Sequence, residues 1–190
     1  MIFQTPSYPV VSETEEKRSR FVCWLGPVKD KMRFQQQLDQ VRTQYPHANH
    51  HCTALLIGNP ADPEVLQTGD DGEPVGSAGR PMLELLLKRG VGNVGVIVTR
   101  YFGGTKLGVG GLMRAYRDSV DSALQRVKLK RFVPLQRLSV RCEFAQESRL
   151  RFLVTRHPAR VTQHHQVHSR WIPSRKTRFR CTGTGRRNRP

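Results

Sequence analysis

Long apolar runs and closely spaced cysteines are both missing from this sequence of 190 residues. No segment approaches the roughly 18 continuous apolar residues of a membrane-spanning helix, so we expect no membrane partner. The N-terminus lacks the basic segment and apolar core of a secretory signal, and we therefore expect a cytoplasmic protein. In such a chain, cysteines that form no CxxC pair indicate reduced thiols, here Cys23, Cys52, Cys142 and Cys181.

Acidic residues are absent from residues 151–190, which hold 11 Lys and Arg and so contribute +11 of the net charge of +17. Residues 1–150 hold 21 basic and 15 acidic residues, a net charge of +6. The high isoelectric point is therefore mainly a property of the C-terminal segment. The isoelectric point therefore does not indicate what the rest of the chain binds.

Strand and helix patterns alternate over the first 130 residues. Residues 21–25 and 52–57 have the composition of short buried strands, and residues 94–102 have that of a central strand. Apolar residues recur at helical spacing in three other stretches, which contain Phe34, Leu85 and Leu112. The pattern predicts an α+β domain with a buried core over residues 1–133.

The pattern changes after Pro134. Leu138, Val140, Cys142 and Phe144 alternate with polar residues, which predicts a strand with one solvent-facing side. A helix-like stretch follows at residues 147–155. Residues 134–155 are therefore expected to begin a second small α+β domain.

Motifs in the first 112 residues closely resemble those of the IMPACT family, the YigZ-like proteins associated with translation control. They occur in that family's order and spacing, and the resemblance covers roughly residues 10–150. The motifs are KRSRF (17–21), HHC (50–52), GDDGEP (69–74) with GRPM (79–82), VTRYFGG (98–104) and LGVGGL (107–112).

The resemblance implies an N-terminal domain like domain 2 of ribosomal protein S5, a fold shared with part of elongation factor G. It also implies a ferredoxin-like C-terminal domain. Eukaryotic relatives carry an additional protein-binding domain and restrain an amino-acid-starvation kinase by competing for its activator. This chain starts at the IMPACT domain and so resembles the bacterial form, to which that mechanism does not transfer.

Residues 156–190 follow no strand or helix period and are too short to complete a ferredoxin-like βαββαβ domain. One explanation is a basic arm that binds nucleic acid while disordered. The other is a shift of reading frame near residues 150–160, which would have replaced the second domain with out-of-frame sequence. The absence of acids and the abrupt end of the resemblance favour the frameshift.

The glycine loop GGTKLGVGG (residues 103–111) joins the predicted central strand to the third helix. Exposed N–H groups at that helix start could cradle a phosphate oxygen. The glycines could instead supply positive φ angles and let the helix pack closely on the strand. The spacing matches neither a Walker A loop nor GxGxxG. The residues concerned are Gly103, Gly104, Lys106, Gly108, Gly110 and Gly111.

The acidic loop GDDGEP places Asp70, Asp71 and Glu73 in one turn. Their spacing is not that of a calcium loop, and we expect them to pair with Arg80 or Arg100 and fix the loop beside the glycine loop. His50 and His51 precede Cys52 in a strand and so point to opposite faces, which does not assemble a tetrahedral zinc site. The sequence therefore predicts no metal site and no cofactor.

Basic residues lie next to aromatic ones at two places. Lys17, Arg18 and Arg20 precede Phe21, and Arg100 precedes Tyr101 and Phe102. This arrangement suits RNA through phosphate pairing and base stacking, although a solvated charged face over core aromatics would look the same. Together with Arg80 and the glycine loop, these cations are the predicted contacts for phosphate or nucleic acid.

These observations favour a cytosolic accessory factor of translation that binds RNA or the ribosome. The first alternative is a protein–protein interaction module of a stress-response regulator. The second is a hydrolase of a small substrate, which ranks last because no acid, base and nucleophile converge in the sequence. No catalytic residue is assigned, and the sequence does not indicate the oligomeric state.

Overall fold

The computed structural model describes residues 2–133, 136–156, 159–167 and 176–183. The chain divides into two compact units, Met1–Phe132 and Val133–Pro190. The division falls at the position where the sequence pattern changes.

The first unit is a mixture of strands and three helices. Its elements in chain order are β1 (Phe3–Pro6), β2 (Val10–Glu16), β3 (Ser19–Pro27), α1 (Lys31–Gln44), β4 (His50–Asn59), β5 (Asp62–Gly69), α2 (Gly79–Lys88), β6 (Val94–Tyr101), α3 (Gly108–Arg126) and β7 (Leu129–Phe132). Five strands form an antiparallel sheet in the order β2-β3-β6-β4-β5, and β1 pairs with β7 separately.

The five-stranded sheet is buried on both faces. In β4, Ala54 and Leu56 belong to the apolar cluster that includes residues of α2 and α3, whereas Leu55 and Ile57 belong to the cluster with α1. Because side chains alternate along a strand, a strand covered on both faces must be apolar throughout. This explains the unbroken apolar run of β6, which lies between β3 and β4 as a central strand should.

The helix ends follow from local chemistry. The Asp30 carboxylate caps α1 by accepting a hydrogen bond from the Arg33 N–H at 2.8 Å. Gly90 has a φ of +66° just beyond the last turn of α2, a conformation that glycine adopts readily at a helix end. Helix α3 starts after Leu107 with no side-chain cap. Within the described ranges, no helix is both long and apolar enough to cross a membrane.

The second unit contains β8 (Gln136–Glu143), a short 3-10 turn, α4 (Glu147–Thr155), β9 (Ala159–Val167) and β10 (Lys176–Gly183). The strands form an antiparallel sheet in the order β8-β10-β9. The predicted strand and helix of residues 134–155 correspond to β8 and α4.

The expectation that no strand follows residue 156 is wrong for residues 159–167 and 176–183. β9 and β10 pair with each other, and β10 also pairs with β8. Strand pairing is made by backbone N–H and C=O groups, so it can occur where side chains show no apolar period. The rest of the predicted basic tail, residues 157–158, 168–175 and 184–190, lies outside the described residues.

Candidate functional site

A buried ion pair lies at the centre of the motif residues. Arg100 donates from Nη1 to Oε1 of Glu73 at 2.6 Å, and both side chains are almost fully buried. The Tyr116 hydroxyl on α3 donates to the same oxygen at 2.8 Å. Burial raises the pKa of Tyr116, which keeps this hydroxyl protonated and able to donate. The expected pairing of the acidic loop with Arg100 is therefore present.

Further contacts extend this ion pair across the unit. Arg100 Nη2 donates to the Ser19 hydroxyl at 3.4 Å, and the Gly103 N–H donates to the same hydroxyl at 3.2 Å. The Cys52 thiol lies 3.2 Å from the Tyr116 hydroxyl oxygen. We call Ser19, Cys52, Glu73, Arg100 and Tyr116 the buried network. Four of the motifs thus meet in one interior cluster.

The acidic loop is held by its own carboxylates. Asp70 accepts hydrogen bonds from the N–H groups of Gly76, Ala78 and Gly79, at 2.7, 3.1 and 2.8 Å. These groups precede or begin α2, so Asp70 satisfies donors that the helix start would otherwise leave free. Within the part of the chain that the structure describes, no group of His, Cys, Asp and Glu is placed to hold a metal ion.

Asp71 faces the other way, at a φ of +44°. It accepts from the His51 N–H at 2.6 Å and pairs with Arg42 of α1 at 3.4 Å. Arg80, the other expected partner of the acidic loop, instead pairs with Glu84 one turn along α2, at 2.8 Å. Of the two predicted arginines, only Arg100 therefore fixes the loop.

The two histidines point to opposite faces, as the strand pattern predicts. His50 donates from Nδ1 to the Asp71 carbonyl at 2.8 Å, and its Nε2 lies 3.9 Å from Glu73 Oε1. The His51 ring lies 3.1 Å from the Thr99 hydroxyl on β6. Burial is the main cause that lowers the pKa of His51.

The buried cysteines are poor nucleophiles. Burial raises the pKa of Cys23 to about 12 and raises the pKa of Cys52 as well. The thiolate is the reactive form, and both residues remain neutral thiols near neutral pH. This chemistry gives no support to the hydrolase alternative.

Only some residues of the glycine loop require glycine. A Cβ added to Gly103 would lie 2.0 Å from the carbonyl carbon of Arg18, so β6 and the β2–β3 turn could not pack as they do. Gly104 and Gly108 have φ angles of +83° and +70°. Gly110 has neither a positive φ nor a neighbour within 4 Å, and a Cβ on Gly111 would approach only Leu107, at 3.1 Å. The prediction that glycines serve positive φ and close packing therefore holds for Gly103, Gly104 and Gly108, and not for Gly110.

Three predicted cations come together on one surface. Lys17 and Arg18 form the two-residue turn between β2 and β3, and Arg18 donates from Nη2 to the Thr105 hydroxyl at 3.1 Å. Lys106 is the next residue of the glycine loop and is exposed. We call Lys17, Arg18, Thr105 and Lys106, with the start of α3, the hairpin–loop surface.

The other predicted cations lie elsewhere. Arg20 is on the opposite face of the sheet, with its guanidinium 4.5 Å from the centre of the Tyr101 ring and 3.9 Å from Glu13. Arg80 is paired on α2, and Arg100 is in the interior. Sequence adjacency to aromatic residues did not distinguish the exposed Arg20 from the buried Arg100.

A groove of about 490 Å³ runs between the β2–β3 hairpin and α3. Its charged lining is mixed and consists of Lys17, Arg114, Glu15, Glu16 and Asp118. This near balance makes the groove a poor site for a polyanion. Negative ligands are better accommodated by the glycine-loop side of the turn.

Sequence analysis did not identify Tyr116 as a site residue, yet its hydroxyl connects Glu73 to Cys52. The sequence could have indicated this role, because a tyrosine in a buried helix face needs a polar partner for its hydroxyl. Asn49 was also missed, and its side chain accepts from the Phe102 N–H at 2.8 Å.

Comparisons with known proteins agree with the motif resemblance. Residues 17–124 match the Impact N-terminal domain. The IMPACT family member YigZ of Escherichia coli is 40% identical over 141 residues, 74% of this chain and 69% of that protein. An IMPACT family member of Haemophilus influenzae is 36% identical over 76% of this chain and 70% of its own length.

Among solved structures, the crystal structure of a hypothetical protein superposes with a TM-score of 0.72 at 31% identity. The match covers 95% of this chain and 84% of that one. With the domain match and the two curated relatives, the chain belongs to the IMPACT family.

Proposed function

We propose that this chain is a cytoplasmic accessory factor of translation that binds RNA or the ribosome through the hairpin–loop surface. The role in translation is inferred from membership of the IMPACT family. The observation that carries the proposal is the backbone of the β2–β3 turn, where Lys17 and Arg18 have φ angles of +47° and +65°.

Such a turn favours Asn-Gly, because both central residues need positive φ. A non-glycine residue in this region costs about 1–3 kcal/mol, and such strain concentrates at functional positions. Two long cations in that turn are therefore poorly explained by folding alone. A requirement for positive charge at the tip of the hairpin explains them better.

The charges on this surface are available to a ligand. Within the described residues, Lys17, Arg18 and Lys106 form no ion pair, and the one side-chain partner of Arg18 is the neutral Thr105. Cations without acidic partners can neutralise phosphates and release bound counterions, which is the main source of affinity for nucleic acids.

The start of α3 adds a second attraction for anions. The first four N–H groups of a helix have no partner within the helix, and α3 has neither a side-chain cap nor an acid in its first turn. The helix dipole also favours negative charge at this end. The small residues Gly108 and Gly110 leave the backbone open to a phosphate oxygen.

The finer fold assignment is part of the proposal. The elements β8, α4, β9 and β10 follow the order of the first βαββ part of a ferredoxin-like domain, and the third strand lies between the first two. The first unit is assigned to the fold of domain 2 of ribosomal protein S5, on the strength of the family resemblance.

A protein-interaction module remains the second candidate, because of Val75. This valine directly follows the acidic loop and is 99% exposed, and the N–H of the next residue, Gly76, is bonded to Asp70 at 2.7 Å. A fixed, fully exposed apolar side chain is a suitable anchor for a protein partner.

The first proposal is tested by replacing Lys17 and Lys106 together with alanine in the full chain. If each contacts one phosphate of single-stranded RNA, the slope of log affinity against log salt should become shallower by about 1.4. Lys29→Ala with Lys31→Ala is the matched control, since both lysines are exposed and lie away from the surface. Equal slopes for the two double variants would show that the hairpin–loop surface does not contact the RNA phosphates.

A further inference from the structure

Phe102 is an exposed aromatic residue on a rigid support. It directly follows β6, and 46% of its surface is exposed. Its N–H is bonded to the Asn49 side chain at 2.8 Å, and the Asn49 N–H is bonded to the Arg100 carbonyl at 2.9 Å. The ring is therefore presented from a fixed backbone, next to the glycine loop.

Arg100 supports the ring from inside. Its guanidinium carbon lies 5.6 Å from the centre of the Phe102 ring, and the guanidinium is itself held by Glu73. Phe102 is thus backed by a buried cation, and about half of the residue remains exposed. An aromatic ring held in this way loses little conformational freedom when something stacks on it.

The neighbouring aromatic residue offers no such face. Tyr101 points to the opposite side of the sheet, because side chains alternate along a strand. The Arg20 guanidinium lies 4.5 Å above its ring. Phe102 is therefore the ring of this pair that a ligand at the hairpin–loop surface could meet.

We propose that Phe102 is a base-stacking residue, and that the ligand of this surface is an unpaired stretch of RNA. The inference rests on the proposed RNA-binding function and specifies its substrate class. Lys106 follows by four residues, so its backbone lies within about 14 Å of Phe102 and its charge can reach a nearby phosphate.

Unpaired RNA fits this arrangement better than a duplex. A base within a duplex is already stacked on both sides, whereas an unstacked base can place its face on an aromatic side chain. Stacking tolerates any base, so the surface should select strandedness and not sequence.

The test compares Phe102→Leu with the unchanged full chain, by fluorescence anisotropy on a labelled oligouridylate and on an RNA duplex of equal length. The leucine variant should bind the oligouridylate roughly 5- to 150-fold more weakly and the duplex with unchanged affinity. Basic residues elsewhere in the chain are the same in both proteins, so a difference in affinity between the two proteins arises from the substitution at Phe102.

Phe102→Trp supplies a second readout. Its affinity should be retained, and oligouridylate should quench its fluorescence beyond the change seen in the unchanged chain, which contains two tryptophans of its own. This variant decides the question if Phe102→Leu fails to fold.

Three results would overturn the stacking role. One is a Phe102→Trp variant whose fluorescence oligouridylate quenches no more than that of the unchanged chain. Another is equal weakening of oligouridylate and duplex binding by Phe102→Leu. The third is a loss on Lys17→Ala with Lys106→Ala but none on Phe102→Leu, in which case RNA binding stands and stacking fails. If none of these substitutions changes RNA affinity, the proposed function itself fails and a protein partner becomes the better occupant.

Discussion

Glu73 receives hydrogen bonds from Arg100 and Tyr116 on the same oxygen, in a region from which water is nearly excluded. Arg100 Nε is buried there without a partner within the described residues. A buried charge pair gains little over an apolar substitute, but removal of one partner leaves the other charge uncompensated. The buried network is thus a point where a single substitution should have a large effect.

We expect Glu73→Gln to lower the free energy of unfolding by about 3–5 kcal/mol, because it leaves the Arg100 charge buried without a counterion. Glu84→Gln is the matched control. Its carboxylate pairs with Arg80 at the surface, where loss of the pair should cost about 1 kcal/mol or less. Urea unfolding of both variants measures the difference, and equal costs would show that the buried pair is not a major stabilising contact.

At the scale of the element, the glycine loop and α3 respond differently to the same substitution. Gly103→Ala should destabilise the protein by about 1–3 kcal/mol, because the new Cβ would collide with the Arg18 backbone. Gly110→Ala should stabilise it by about 0.4–1 kcal/mol, because alanine restricts the unfolded chain and meets nothing in the helix. Thermal unfolding of the two variants should show shifts of opposite sign, and a destabilised Gly110→Ala would contradict the open environment described above.

Element positions were largely predictable, and contacts between elements were not. The apolar runs and helical spacing located β6, α3 and β8, because those patterns arise from burial along one element. Gly103, for example, cannot be replaced without a clash because Arg18, 85 residues away in the sequence, packs against it. The role of Tyr116 was missed because its polar partner lies in a distant part of the sequence. The strands β9 and β10 were missed because strand pairing, and not an apolar period, determines them.

For the whole molecule, the two sources of positive charge fall in different units. The 11 cations of residues 151–190 belong to the second unit, whereas the hairpin–loop surface belongs to the first. If the chain binds RNA as proposed, its affinity should therefore contain two terms, one from each unit. The term from the C-terminal segment has the steeper dependence on salt, since more charges contribute to it.

A chain of residues 1–133 should separate these terms. We expect it to bind RNA more weakly and with a shallower salt slope than the full chain, and to lose affinity further when Lys17 and Lys106 are replaced by alanine. A ribosome-pelleting assay and RNA titrations over a range of salt concentrations measure both effects. If truncation abolishes binding to RNA and ribosomes in a chain that remains folded, the affinity belongs to the second unit. The protein-interaction module then becomes the preferred function.

The contact of Gly103 with the Arg18 backbone has one more consequence, for the kinetics of association. The Ser19 hydroxyl also accepts a hydrogen bond from the Gly103 N–H, so two contacts join the hairpin turn to the start of the glycine loop. A ligand of the proposed kind would meet a backbone that already holds the turn and the loop together, so binding should require little backbone ordering. The rate of encounter should therefore be governed by diffusion and long-range attraction, and not by a rearrangement of the protein.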